Sequence, residues 1–196
     1  NYFSNLILYD IIKFDSLKIV IGKKDIQMER IDKENYYLDI AETVLKRGSC
    51  IRRNFGAVIV NNDQIISSGY TGAPRGRKNC LDMNICIRNK FNIPRGERYE
   101  FCRSVHAEAN AIIHASREKM LGSTLYLVGK EMDNHSYVAN TCPCSMCKRL
   151  VINAGIKNVI IRDTSKKFRN INVSSWIEND ESLEIISEYQ TVREEN

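Results

Sequence analysis

Apolar residues between Asp32 and Arg47 recur at helical spacing. Tyr37, Ile40, Ala41, Val44 and Leu45 share one face, with Asp32 placed to cap the start and Gly48 to stop the end. The period then changes. Gly56-Ala57-Val58-Ile59-Val60 is an apolar run of strand length, Asn61-Asn62-Asp63 is turn chemistry, and Gln64 to Gly69 returns as a second strand, which predicts a hairpin. A loop rich in Gly, Pro and Arg follows, from Tyr70 to Asn79. Residues 80 to 103 carry no clean period and mark a long insertion, the kind of segment that is either functional or tied down. Helical spacing resumes from Val105 to Ser116, with Ala107, Ala111, Ile112 and Ala115 facing inward. Thr124 to Val128 reads as a third strand, and a polar loop runs from Gly129 to Ala139. Thr141 is placed to cap a third helix, with Pro143 in its first turn and Gly155 at its end. Val159-Ile160-Ile161 is a fourth strand, Trp176-Ile177 a short helix, and Leu183, Ile185 and Ile186 a final strand. The order αββαβαβ requires a mixed sheet with helices packed on its faces, an α/β fold.

Met28 is the first methionine and stands at the head of the patterned region. Residues 1–27 are therefore set apart as an N-terminal extension, either a real extension, a fusion remnant or translated upstream sequence, and residues 28–196 are expected to form one domain.

Composition adds exclusions. At 43% hydrophobic and 27% charged residues, the chain has the apolar content for a core and does not read as disordered. No apolar run approaches the roughly 18 residues of a membrane span. The first residues lack a basic signal-peptide start, and Asp10 and Asp15 interrupt their apolar run, so a cytoplasmic location is expected. The net charge of +5 is unevenly placed: 12 basic and 4 acidic residues lie between Lys46 and Arg103, against 4 and 7 from Thr164 onward. A basic middle with an acidic tail fits a small anionic ligand better than a nucleic-acid track.

The seven cysteines are odd in number, and three crowd into Cys142-Pro143-Cys144-Ser145-Met146-Cys147. That pattern reads as metal ligation in a reducing compartment rather than as a disulfide framework. His106-Ala107-Glu108 opens the second predicted helix and Pro143-Cys144-Ser145-Met146-Cys147 the third, together matching the H-x-E … P-C-x-x-C signature of zinc nucleobase deaminases. Zinc takes N and S ligands in a tetrahedron, and a catalytic site keeps one position for water; His106, Cys144 and Cys147 supply three ligands. Cys144 and Cys147 fall on one face of a helical turn, and a helix N-terminus favours their thiolates. One neutral imidazole and two thiolates cancel the metal's charge, so the bound water needs a nearby base. Glu108 is that base. Positions i and i+2 of a regular helix point about 200° apart, so His106 and Glu108 converge only if His106 lies at the helix start, outside helical geometry. Alone, a C-x-x-C is as readily a structural zinc knot or a redox pair, and an H-A-E triplet is common on helices. Order and context favour catalysis.

The sequence resembles the cytidine and deoxycytidylate deaminase superfamily over roughly residues 32 to 162. Besides the zinc motifs, the likeness runs through Gly56 to Val60, Ile66 to Pro74, Asn79-Cys80, Val105 to Ile112, and Cys147-Lys148-Arg149 leading into Ile152-Asn153-Ala154-Gly155-Ile156. The Gly69-Tyr70-Thr71-Gly72-Ala73-Pro74 loop and the Cys80 to Cys102 insertion point to the deoxycytidylate branch. The resemblance implies a three-layer cytidine-deaminase-like fold, a mixed central sheet flanked by helices. It implies zinc-dependent hydrolysis of dCMP to dUMP and ammonia, in pyrimidine nucleotide metabolism. His106, Cys144 and Cys147 would hold the zinc and Glu108 would shuttle protons. Asn110, Thr71, Gly72, Pro74 and Arg75 are implied as substrate contacts, and Arg77, Lys78, Arg52, Arg53 and Arg103 are further candidates for a phosphate. The Gly129 to Thr141 segment looks longer than in typical members and would lie beside the site.

Cys50, Cys80, Cys86 and Cys102 remain, and some members carry a structural zinc in the matching region; a closed four-thiolate site would hold the aperiodic insertion together, while buried free thiols are the bland alternative. The resemblance also implies a homo-oligomer, a hexamer in this branch, and regulation by dCTP and dTTP. The alternatives within the superfamily are cytidine, a free or modified base, and tRNA adenosine as substrate. A non-catalytic zinc-stabilised binding protein is the alternative outside it. Neither a membrane nor a nucleic acid is an expected partner.

Overall fold

The computed structural model describes residues 30–94, 96–180 and 183. The proposed extension over residues 1–27 and the final strand expected at Ile185 and Ile186 lie outside the described residues.

Helix α1 spans Lys33–Leu45, and the Asp32 carboxylate accepts from the Asn35 amide at 2.8 Å, as the cap chemistry requires. Strand β1 (Arg53–Asn61) and strand β2 (Gln64–Tyr70) form the predicted hairpin. Asn62 and Asp63 both have positive φ, the turn geometry that matches strand twist. Short helices α2 (Cys80–Met83) and α3 (Ile87–Lys90) and a 3₁₀ turn at Tyr99–Phe101 occupy the insertion. Helix α4 covers Ala107–Ile113, α5 Arg117–Met120, strand β3 Thr124–Glu131, and helix α6 Ser145–Ala154. Strands β4 (Asn158–Arg162) and β5 (Phe168–Asn172) and helix α7 (Ser174–Glu178) complete the described region.

The five strands lie in the order β2-β1-β3-β4-β5, antiparallel except for the parallel β3–β4 pair. Alternation along the strands builds three layers. Ala57, Ile59, Leu125, Leu127, Val159 and Ile161 face α4 and α6, while Val58, Val60, Tyr126, Val128 and Ile160 face α1. This is the mixed sheet with helices on its faces that the element order requires.

Three expectations are corrected. Thr141 does not cap α6: its hydroxyl donates to the Val138 carbonyl, and Cys144 takes the cap position, which leaves Pro143 outside the first turn. The second predicted helix breaks at His114, and Ser116 starts α5. Strand β5 was missing from the pattern because an edge strand with Arg169 and Asn170 exposed does not alternate. Gly155, by contrast, ends α6 at φ +78°, where a side chain is strained.

One glycine sets the site. A Cβ on Gly69 would lie 2.3 Å from both the Ala107 carbonyl oxygen and the Ala111 amide nitrogen. Only a bare backbone on β2 lets α4 pack this closely.

Candidate active site

His106 is the N-cap of α4, in extended backbone at φ −71° and ψ 154°, and Glu108 is in the first turn. The i, i+2 conflict is thereby removed, because the helix begins between the two residues. Cys144 is the N-cap of α6 and Cys147 lies one turn in, beside α4 on the same face of the sheet. Two helix starts from separate segments therefore meet.

The ring nitrogen Nδ1 of His106 lies 3.5 Å from the Cys144 sulfur and 3.4 Å from the Cys147 sulfur. Tetrahedral zinc with ordinary Zn–N and Zn–S lengths sets an N···S edge of about 3.6 Å, so the donor set fits that ion. Among the described residues, these three form the group of His, Cys, Asp or Glu whose ligand atoms gather within 4.8 Å.

The charges are arranged to suit. A hydrogen bond from Cys147 holds the Cys144 thiol far below its ordinary range, at about 4, and Cys147 is pushed up in turn. The pair thus carries one thiolate readily, at a helix N-terminus whose amides favour it. Burial would lower the His106 imidazole, but the Cys144 sulfur and the Glu108 carboxylate outweigh it and raise the ring. Glu108 is 5% exposed, and burial raises its carboxyl above the ordinary value, against the pull of His106. A carboxyl raised this way both takes up and returns a proton.

These groups open into a cavity of about 340 Å³ that also reaches Thr71 and Asn140. Thr71 is the implied substrate contact that the cavity includes; its hydroxyl accepts from the Phe55 amide at 3.1 Å. The others lie outside the lining. Asn110 donates to the Tyr70 carbonyl at 2.8 Å, Gly72 pairs with Val105, Pro74 lines a second shallow cleft, and Arg75 contacts His114 at 2.8 Å. Among the arginines, Arg52, Arg53 and Arg103 line the cavity. Asn140 brings the end of the 129–141 segment to its wall, and Cys142 follows it there.

The four remaining thiols reach the same cavity. Cys50, Cys80, Cys86 and Cys102 all line it, and Cys80 is raised by burial and by its three neighbours' charges. No three of them gather as tightly as His106, Cys144 and Cys147. Among the cavity residues that were not singled out in the sequence are Tyr99, Asn140 and Arg88; Arg88, buried on α3, carried no periodic signal that set it apart from the other cations.

Residues 31–163 match the family model described as the cytidine and deoxycytidylate deaminase zinc-binding region. The chain is 33% identical over 138 residues to a deoxycytidylate deaminase of Mycobacterium phage D29, covering 68% of this chain and 96% of that one. It is also 33% identical over 127 residues to a deoxycytidylate deaminase of Schizosaccharomyces pombe, of which it spans 36% of the length. Among solved structures, the dCMP deaminase of cyanophage S-TIM5 in apo form is 25% identical, covering 70% of this chain and 88% of that one at a TM-score of 0.49. No helix among the described residues is long and apolar enough to cross a membrane. The family match spans two thirds of the sequence and includes both helix starts of the metal site: the chain belongs to the cytidine and deoxycytidylate deaminase family.

Proposed function

We propose that this chain hydrolyses dCMP to dUMP and ammonia. The observation that carries the proposal is a buried carboxylate, Glu108, set against a His106–Cys144–Cys147 donor group of zinc-binding dimensions. The relatives named deoxycytidylate deaminases support the substrate. His106 through Nδ1, with the two sulfurs, would hold the zinc, which when bound supplies a Lewis acid that makes water a nucleophile near neutral pH. Glu108 takes the proton released as the water oxygen bonds to C4 of the pyrimidine and delivers it to N3. It then carries the hydroxyl proton to the amino nitrogen as the C4–N4 bond breaks and ammonia leaves.

The test is ammonia release by zinc-replete protein from dCMP beside deoxycytidine at equal concentration. Preference for dCMP supports the reading. Equal turnover keeps the chemistry and rejects the nucleotide substrate, and no turnover of either rejects both.

The same proposal extends to a second, structural zinc held by Cys50, Cys80, Cys86 and Cys102. Their convergence on one cavity supports it, with Cys80 among the other three. Metal analysis giving one zinc per chain, in protein with an intact catalytic site, rejects it. A homo-oligomer, with dCTP and dTTP as regulators, is part of the same proposal, on the ground of the family resemblance. The exposed Ile113 on α4 and Leu150 on α6 give apolar surface for such contacts. Sedimentation, with and without each triphosphate, tests both. A cytoplasmic location is proposed with it, since seven free thiols suit a reducing compartment.

A further inference from the structure

Of the two ring nitrogens of His106, Nδ1 faces the sulfurs of Cys144 and Cys147, and Nε2 has no hydrogen-bond partner among the described residues. Metal-binding histidines ordinarily donate that second N–H to a carboxylate, a carbonyl or a water, which fixes the plane of the ring. The N-cap position of His106 fixes its backbone, but the torsion that turns an imidazole is broad and roughly two-fold. A neighbouring group has to set it. The Tyr99 ring is placed to do so. It meets the imidazole edge-on, with centroids 5.1 Å apart and planes at 79°, a favoured arrangement for two aromatic rings.

Tyr99 is itself held from two directions. On one side the Arg88 guanidinium covers its ring, 4.6 Å from the centroid. Arg88 is 7% exposed, donates an Nη to the Pro94 carbonyl and feels the charge of Glu100, so it is anchored in the insertion. On the other side the backbone is tied. Tyr99 opens the 3₁₀ turn, and its carbonyl accepts from the Cys102 amide at 2.8 Å. Arg98, the residue before it, has φ +46°, a strained value that persists where the surrounding structure enforces it. A rigid stack therefore runs from Arg88 on α3, through Tyr99, to His106 at the start of α4.

We propose that Tyr99 is a positioning residue: its ring, clamped by Arg88, holds the His106 imidazole in its metal-binding orientation, in place of the usual hydrogen-bond partner. The proposal rests on the zinc-site reading above. It gives the insertion over residues 80 to 103 a part in the metal site, although the three donors all lie outside it. The ring rather than the hydroxyl performs this role, so phenylalanine replaces tyrosine and an aliphatic side chain does not.

The test is zinc affinity, by competition with a chelator, in wild type, Tyr99→Phe, Tyr99→Leu and Arg88→Met, with His106→Ala marking which zinc belongs to this site. Urea midpoints, and kcat and KM for dCMP, are measured on the same zinc-saturated preparations. Tyr99→Leu is expected to weaken that zinc roughly 10- to 100-fold, the range for removing the outer partner of a metal ligand, and to lower kcat rather than raise KM. Tyr99→Phe restores most of both losses, and Arg88→Met shows a smaller loss in the same direction. Wild-type zinc affinity in Tyr99→Leu overturns the proposal: with a lowered urea midpoint it shows a purely structural role, and with a raised KM a substrate contact. A loss in Tyr99→Phe equal to that in Tyr99→Leu overturns it as well. Should Tyr99→Leu fail to fold, wild-type zinc affinity in Arg88→Met overturns it. A wild type whose zinc does not depend on His106 defeats the zinc-site reading and this proposal together. A wild type that binds this zinc and deaminates neither dCMP nor deoxycytidine defeats the deaminase reading alone, because the affinity comparison needs no turnover.

Discussion

Replacing Gly69 with alanine measures how tightly the sheet positions the chemistry. The added Cβ would lie 2.3 Å from the Ala107 oxygen and the Ala111 nitrogen, where ordinary contact begins near 3.4 Å. Both neighbours are helix backbone, and neither swings aside as a side chain would. Helix α4 must retreat by about 1 Å, the difference between those two distances. His106 and Glu108 ride on its first turn, whereas Cys144 and Cys147 stay on α6. The donor group opens and the carboxylate moves with it. The stability loss is expected at about 3 kcal/mol, the upper end for overpacking, and is only partly offset by the stiffer unfolded chain. Turnover of dCMP in the folded fraction should fall on the order of 100-fold, since about 1 Å of misplacement costs that much. Urea unfolding, ammonia release and zinc content on the same preparation read all three effects. A variant with the wild-type urea midpoint and more than half the wild-type turnover would falsify this account of the α4 contact.

Other consequences are as direct. Glu108→Gln should leave zinc content unchanged and reduce dCMP turnover by at least about 100-fold, as expected for a lost proton carrier; a variant retaining most activity removes Glu108 from the mechanism. Leu38, fully buried between α1 and the sheet, should cost about 3 kcal/mol when cut to alanine, with KM unchanged because it lies on the face away from the site. A shifted KM in folded Leu38→Ala shows that the two faces are coupled. Glu42 accepts from Lys130 at 2.6 Å and from Tyr137 at 2.8 Å. Burial opposes its charge, but these bonds outweigh burial and lower its carboxyl below the ordinary value of 4.5. A depressed folded-state pKa contributes stability that is present above the ordinary value and is lost as pH falls through the folded one. Glu42→Gln should therefore flatten the decline in stability below about pH 4.5 relative to wild type, and identical acid limbs in denaturant melts would rule this out.

The parts of this molecule that were legible in its sequence are those where chemistry is local. His106 and Glu108, or Cys144 and Cys147, are useful only at fixed short spacing near a helix start, so the spacing itself carries the information. Strands β1, β3 and β4 were equally readable because both of their faces are covered, and their apolar runs record that burial. The loss of legibility begins where distant segments decide. Nothing within the stretch around Arg88 shows that it is buried, because its burial depends on Tyr99, Pro94 and the cavity wall. Thr141 has the right side chain for a cap, yet Val138 claims its hydroxyl and the cap passes to Cys144. Asn110 and Arg75 carry the right chemistry for a substrate, but Asn110 fastens the Tyr70 loop and Arg75 meets His114. The local basic excess pointed to an anion without naming which cations stay unpaired; Glu131, far along the chain, removes Arg53 from that set.

Gly72 and Val105 exchange two backbone hydrogen bonds, of 3.3 and 2.8 Å, immediately before His106. The segment between them leaves and re-enters the domain beside this clasp, and bonds from Ser49 to Asn79 and from Leu81 to Ser49 tie its first part down as well. A change in its length would leave the clasp, and with it the register of His106, in place. Because closing a longer loop adds little entropy cost, such a change is cheap. The clasp thus separates the fixing of His106 from the length of the segment that precedes it.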